Sequence, residues 1–294
     1  MSVKSYLKRG LKFVISGIPE VKTYPNVSLL SPNDLLLDRY ALVTGGTSGI
    51  GFEIAKSFVE AGATVVITGR SLDRVVKACA EINTMAHKKG KIFGIEMNNQ
   101  NVPAFQEKFR EVLDLIGGAK LDILVNNAGM RGGFISNATE EEYDNIMDTN
   151  AKGTFFLTQL VAKYMIKEGI KGNILNIASA SSIRPAISAY HMSKWAIRGL
   201  TQGLARSLAP HNIVVNAIAP GPTATPMLLQ EDTGGNMSHN RNLLGRYALP
   251  EEIGNMAVIL VSDMSRTIIG DTIFMSGGGG IVTNEDVDFH FIID

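Results

Sequence analysis

With one cysteine, Cys79, in 294 residues, the chain can form no internal disulfide and suits a reducing compartment. The five histidines, at 87, 191, 211, 239 and 290, are scattered without metal-ligand spacing, so no metal site is expected. No stretch approaches the roughly 18 consecutive apolar residues of a membrane-spanning helix. Charge of either sign is not in excess, with 28 Lys plus Arg against 28 Asp plus Glu, which argues against a nucleic-acid partner. Internal repeats and low-complexity linkers are also missing. What is present, 45% hydrophobic and 19% charged residues, fits a globular protein with a sizeable core. The expectation is a cytoplasmic enzyme.

One local imbalance stands against the neutral whole. Before Glu20 the only charges are Lys4, Lys8, Arg9 and Lys12. Wound as a helix, Val3, Leu7, Leu11, Val14, Ile15 and Ile18 fall on one stripe, with most of the cations beside or behind it. Two readings are open for residues 3–18: contact with an anionic membrane surface or a partner, or packing on the chain's own domain or subunit. The apolar run is broken by Lys12 and is not read as a secretory leader. Residues 1–36 are expected to form this basic helix and a proline-bearing arm, ahead of a single domain over 37–294.

From residue 37 onward, short β-rich runs alternate with helical patterns. Strands are expected at 40–44, 64–68, 91–95, 121–126, 173–177, 213–217 and 271–275. Amphipathic helices are expected at 50–61, 71–88, 103–116, 139–168, 190–208 and 250–262. Near-continuous apolar strands separated by helices predict a parallel sheet covered on both faces, an α/β, Rossmann-like doubly wound fold of about seven strands. The alternation breaks at about 222–249, a length typical of functional lids. Residues 281–294 form a tail that could reach a neighbouring subunit.

The first strand runs into Thr44-Gly45-Gly46-Thr47-Ser48-Gly49-Ile50-Gly51 and then directly into a helix. Glycines at such a turn let backbone N–H groups approach a pyrophosphate at the positive helix end. An NAD site carries an acid at the end of the second strand to hold the ribose 2′-hydroxyl. Here Gly69 and Arg70 occupy that end, so repulsion of a 2′-phosphate is absent and a planar cation is supplied, with Ser71 offering a hydroxyl. The expected cofactor is NADP(H). Further along, Tyr190-His191-Met192-Ser193-Lys194 places a phenol and an ammonium one helical turn apart. A tyrosine titrates near ~10, and a nearby ammonium would lower that value toward physiological pH, as a general acid requires.

These motifs, with Asn126-Asn127-Ala128-Gly129 after the fourth strand and Pro220-Gly221 after the sixth, resemble the short-chain dehydrogenase/reductase family in order over residues 38–280. The resemblance implies an oxidoreductase acting on a small carbonyl or alcohol substrate through Asn150, Ser179, Tyr190 and Lys194. It implies that Ser179 polarises the substrate oxygen, with Ser181 an open substitute because only eleven positions separate Ser179 from Tyr190. Asn150 would hold a water in a proton relay. Gly45, Thr47, Ser48, Gly49, Ile50, Gly51, Asn127, Ala128, Gly129, Pro220, Gly221 and Thr225 would line the cofactor. Ile218 would approach the nicotinamide through its backbone. The family's acid near the adenine is replaced by Glu96-Met97-Asn98. Homodimers or homotetramers are implied, while His191 and Trp195 read as packing residues.

Three readings of the activity follow. Polar residues between Met227 and Arg246 favour a polar, keto-sugar-like ketone. A 3-oxoacyl thioester is the alternative substrate. A non-catalytic NADPH-binding sensor or scaffold is the rival from another class.

Overall fold

In the computed structural model the described residues are 34–84, 89–227 and 243–281. The basic helix placed at 3–18, nearly all of the arm, the end of the 71–88 helix, most of the 222–249 lid and the tail beyond 281 lie outside them.

Each apolar run identified in the sequence forms a strand. They are β1 (Tyr40–Val43), β2 (Thr64–Gly69), β3 (Lys91–Glu96), β4 (Ile123–Asn126), β5 (Asn173–Ile177), β6 (Val214–Pro220) and β7 (Thr272–Met275). All pair in parallel in the order β3-β2-β1-β4-β5-β6-β7. The alternation of side chains along each strand feeds two cores. Val43, Val65, Ile67 and Val125 pack on one face, under α1 (Gly49–Glu60), α2 (Leu72–Asn83) and α7 (Pro250–Val261). Leu42, Val66 and Leu124 pack on the other, under α3 (Phe105–Leu115), α5 (Thr154–Lys167) and α6 (Ala189–Leu208). The result is a three-layer, Rossmann-like sheet. Among the described residues, no helix is long and apolar enough to cross a membrane.

The expected helix 139–168 is not continuous. It consists of α4 (Glu140–Met147), a π-helical turn at Asp148–Gly153, and α5. The widened turn coincides with Asn150, whose side chain is buried and engaged across the fold rather than along the helix. π turns inside α-helices are frequently functional, and this one sits beside the cleft described below.

The two ends of the sheet are built for different purposes. At the N-terminal ends of the strands, Arg39 ion-pairs with Asp122 and donates to Asn173 Oδ1 at 2.9 Å, while Asp122 Oδ1 accepts from the Tyr40 N–H at 2.8 Å. That knot fixes β1, β4 and β5 together. The opposite end carries the open crevice, because β1 is followed on one side by β2 and on the other by β4, the switch point where ligands bind in sheets of this kind. Beside the crevice, the chain leaving β6 and the chain entering α7 are stitched together. Ala224 N–H donates to Ala248 O at 2.9 Å, and Ala248 N–H donates to Pro222 O at 2.9 Å.

Candidate active site

A cleft of about 890 Å³ opens at the C-terminal ends of the strands. Its walls include every cofactor-lining position expected from the sequence: the Gly45–Gly51 turn, Arg70 and Ser71, Asn127–Gly129, Pro220, Gly221 and Thr225. Ser179, Tyr190 and Lys194 stand in the same cleft.

The turn after β1 is held by amides and hydroxyls rather than by apolar packing. Asn127 Nδ2 donates to Thr44 O at 2.9 Å and to Gly45 O at 3.0 Å. Thr44 Oγ1 accepts from the N–H groups of Asn127 and Ala128, both at 3.0 Å. Gly51 is required here, since a Cβ would lie 2.2 Å from Asn127 Nδ2 and 2.4 Å from Gly45 O. Behind this layer, Asn126 Nδ2 bridges Thr158 Oγ1 and Asn176 Oδ1, and Asn176 Nδ2 reaches Thr201 Oγ1, so amides cross-link β4 and β5 to α5 and α6.

These features fit an anionic dinucleotide. The N-cap of α1, Ser48, makes no side-chain cap bond, and the first turn holds no acid, so the positive helix end faces the cleft uncompensated. Ser71, at the N-cap of α2, likewise makes no side-chain cap bond. Arg74 joins Arg70 on the wall at the end of β2. Arg74 went unread in the sequence, although its four-residue spacing from Arg70 at a helix start was a usable signal. Met97, Asn98 and Asn99 line the cleft after β3, and both polar side-chain atoms of Asn99 are buried without a hydrogen-bond partner among the described residues.

At the other end of the cleft, Ser179 terminates β5 and Tyr190 and Lys194 project from the start of α6. The Ser188 side chain caps that helix by accepting from the His191 N–H at 3.2 Å. Ser179 Oγ accepts from the Ser181 N–H at 3.1 Å and hydrogen-bonds the Tyr190 phenol. Ser181 stands on the same cleft wall. Lys194 is buried and donates to Ile177 O at 2.7 Å, with Nζ 5.7 Å from the Tyr190 ring centroid. Burial pulls the Lys194 ammonium down from 10.5 to about 8.

The electrostatics of Tyr190 differ from expectation. Burial pushes the phenol above its ordinary value of 10, and the Ser179 hydrogen bond and the Arg131 guanidinium pull it back only in part. The downward shift expected from the Tyr-x3-Lys spacing does not appear, because burial of the phenol outweighs the groups that lower it.

Four residues are placed differently from the expectation. Ile218 lies inside β6, fully buried in the core, since the strand runs on to Pro220; Thr223 lines the cleft instead. His191 is a cleft residue with Nδ1 2.5 Å from Ser188 Oγ, not a packing residue. Trp195 is partly exposed and donates its indole N–H to Arg184 O at 2.8 Å. Asn150 does not line the cleft: its Oδ1 accepts from Met130 N–H at 2.7 Å, and its Nδ2 donates to Met130 O and to Ser193 Oγ, each at 2.9 Å. Arg131 and Arg184, both on the cleft wall, were missed, because nothing in their local sequence reports which cavity they reach. Among the described residues no group of His, Cys, Asp and Glu is arranged to hold a metal.

Comparison with known proteins agrees with this site. Residues 39–234 match the family model described as short chain dehydrogenase. A 3-oxoacyl-[acyl-carrier-protein] reductase of Aquifex aeolicus is 37% identical over 248 residues, covering 83% of this chain and 98% of that protein. A gluconate 5-dehydrogenase of Gluconobacter oxydans is 32% identical, covering 81% of this chain and 93% of the other. The crystal structure of a short chain dehydrogenase from Burkholderia cenocepacia J2315 in complex with NADP superposes with a TM-score of 0.73 at 30% identity, over 83% of this chain and 98% of that one. The chain therefore belongs to the short-chain dehydrogenase/reductase family, oxidoreductases that use a nicotinamide cofactor.

Proposed function

We propose that the protein is an NADP(H)-dependent carbonyl reductase with Tyr190 as its general acid. The observation that carries this reading is a cleft whose β2 end presents Arg70 and Arg74, with no acid among its described lining residues, while its other end presents Ser179 bonded to Tyr190. NADPH, when bound along the Gly45–Gly51 turn, supplies the hydride. The Ser179 hydroxyl holds the substrate oxygen as negative charge develops on it. Tyr190 Oη gives that oxygen a proton. A phenol raised above its usual value is fully protonated at neutral pH, which suits an acid more than a base. Lys194, held near about 8, is mostly protonated at neutral pH and sits in reach to restore the phenol. Asn150 acts at one remove, fixing the Met130 backbone and Ser193 Oγ, which in turn donates to Tyr190 O at 2.7 Å.

A relative that reduces 3-oxoacyl groups and one named for gluconate leave the substrate to experiment. We carry forward a homodimer or homotetramer, supported by the exposed Phe155, Phe156 and Ile166 on α5, with light scattering as its check. The cofactor is tested by calorimetry with NADPH and NADH on wild type, Arg70→Ala and the Arg70→Ala/Arg74→Ala double variant. Each guanidinium on a phosphate contributes a charge-assisted bond of about 1.5–3 kcal/mol, so NADPH should lead by roughly 10-fold or more and lose that lead in the double variant. Equal affinity for the two cofactors in wild type would refute the NADP assignment. NADPH oxidation that survives Tyr190→Phe would refute the acid, whereas NADPH binding without turnover of any carbonyl would favour the sensor reading.

A further inference from the structure

The chain as a whole is neutral, yet the described walls of its cleft are not. They carry Arg70, Arg74, Arg131, Arg184 and Lys194 and no carboxylate. Two of the five, Arg70 and Arg74, stand at the end of β2, where the proposed function uses them. Lys194 is committed to the Ile177 carbonyl. Arg131 and Arg184 remain, and both lie at the Tyr190 end.

Each is delivered by a constrained backbone. Arg131 follows Met130, whose N–H and C=O are both held by the Asn150 amide. Arg184 follows the Ser-rich turn after β5, and its own carbonyl is fixed by the Trp195 indole. The Arg184 guanidinium lies beside Gly280, where a Cβ would come within 2.7 Å of Nε and 3.0 Å of one terminal nitrogen, so a side chain at 280 would shift it. Both cations line the same cleft as Tyr190 and His191; both act electrostatically on His191, and Arg131 also acts on Tyr190. His191, its Nδ1 at Ser188, is held on the low, neutral side by burial and by these cations. Neither arginine has a carboxylate at ion-pair distance among the described residues.

We propose that Arg131 and Arg184 form an anion clamp at the substrate end of the cleft, so that the carbonyl compound reduced here carries a carboxylate or phosphate. The inference rests on the carbonyl-reductase reading and narrows its substrate class. A planar guanidinium suits either oxyanion, because its N–H fork matches two oxygens of one group. Uniform recognition of that group would act mainly on KM.

The test compares matched pairs with NADPH as reductant: 4-oxopentanoate against its methyl ester, 5-keto-D-gluconate against its methyl ester, and dihydroxyacetone phosphate against dihydroxyacetone. Wild type should favour the anionic member of at least one pair by tenfold or more in kcat/KM. The first two pairs report a carboxylate, the third a phosphate. That ratio should fall toward one in Arg131→Met and Arg184→Met, chiefly through KM, and be partly restored in Arg131→Lys and Arg184→Lys. NADPH affinity, read by calorimetry on the same variants, should stay within twofold. A wild-type ratio near one in all pairs, an unchanged ratio in both Met variants, or no turnover of any pair by protein that binds NADPH overturns the clamp. Failure to bind NADPH, or turnover indifferent to Tyr190→Phe, overturns the underlying reading instead.

Discussion

Replacing Asn150 with alanine separates a structural amide from a solvent-relay amide. The side chain makes three hydrogen bonds, to Met130 N–H, Met130 O and Ser193 Oγ, and it is buried. Alanine leaves the two Met130 backbone groups without that partner, and a buried polar group so stranded costs about 1–3 kcal/mol. Ser193 Oγ keeps its bond to Tyr190 O and adds less. The sum is roughly 3–5 kcal/mol, which at 2–4 °C per kcal/mol for a domain of this class lowers Tm by about 10 °C. Circular-dichroism melts of wild type and Asn150→Ala measure it. Asn150→Asp, which keeps the acceptor for Met130 N–H but loses both donors, should fall between them or below if its charge is retained. Activity measured well below either Tm should also drop, because the Met130 segment and the start of α6 lose their shared anchor. A melting temperature within about 2 °C of wild type, accompanied by a collapse of kcat, would show that the amide serves the chemistry alone, and the anchoring argument would be wrong.

Lys194→Met should be more stable than wild type at pH 7 while losing activity. The folded-state value of about 8 lies below the ordinary 10.5, so the unfolded chain binds the extra proton between those limits. Wild-type stability therefore rises as pH climbs from 8 toward 10.5, and below 8 the buried ammonium costs on the order of 3 kcal/mol, which the methionine escapes. Melts of both proteins at pH 7 and pH 10 should show the gap closing, and a destabilised variant at pH 7 would contradict this. Glu252 has the opposite sign. Its carboxyl is held at about 2, first by Arg246 and then by the Leu249 N–H, so its contribution is present above the ordinary carboxylate value and is lost as pH falls through about 2. Glu252→Gln should melt lower than wild type at pH 6 and equally at pH 2, if the protein is still folded there. Cys79 is half-buried with its thiol pushed up to about 11, so native protein should react with a disulfide reagent at pH 8 far more slowly than denatured protein does.

Most of the fold was legible because its signals are local. Apolar runs such as Thr64–Gly69 and the glycine turn at 45–51 encode strand, turn and helix within a few residues, and the sheet order follows from right-handed crossovers. The Ser179, Tyr190 and Lys194 cluster was readable for the same reason, through the strand–turn–helix order around it. What escaped depends on distant partners. The π turn at Asp148–Gly153 exists where Asn150 bonds across to Met130, and hydrophobic periodicity is blind to that. Arg184 finds its seat on Gly280, far along the chain. Ile218 was misplaced because the apolar pattern says where a strand lies but not how far it continues; β6 runs three residues past Ala217. The direction of the Tyr190 shift needed the phenol's burial, which a spacing rule does not contain.

The stitch between Pro222–Ala224 and Ala248 has an evolutionary consequence. It closes the intervening chain into a ring whose two feet are fixed by backbone bonds, not by side chains that mutate. Residues between the feet can lengthen, shorten or change character while Pro220, Gly221 and the start of α7 stay where they are. The two backbone bonds thus hold the cleft-lining Pro220–Thr223 stretch and the approach to α7 in place whatever side chains these residues carry.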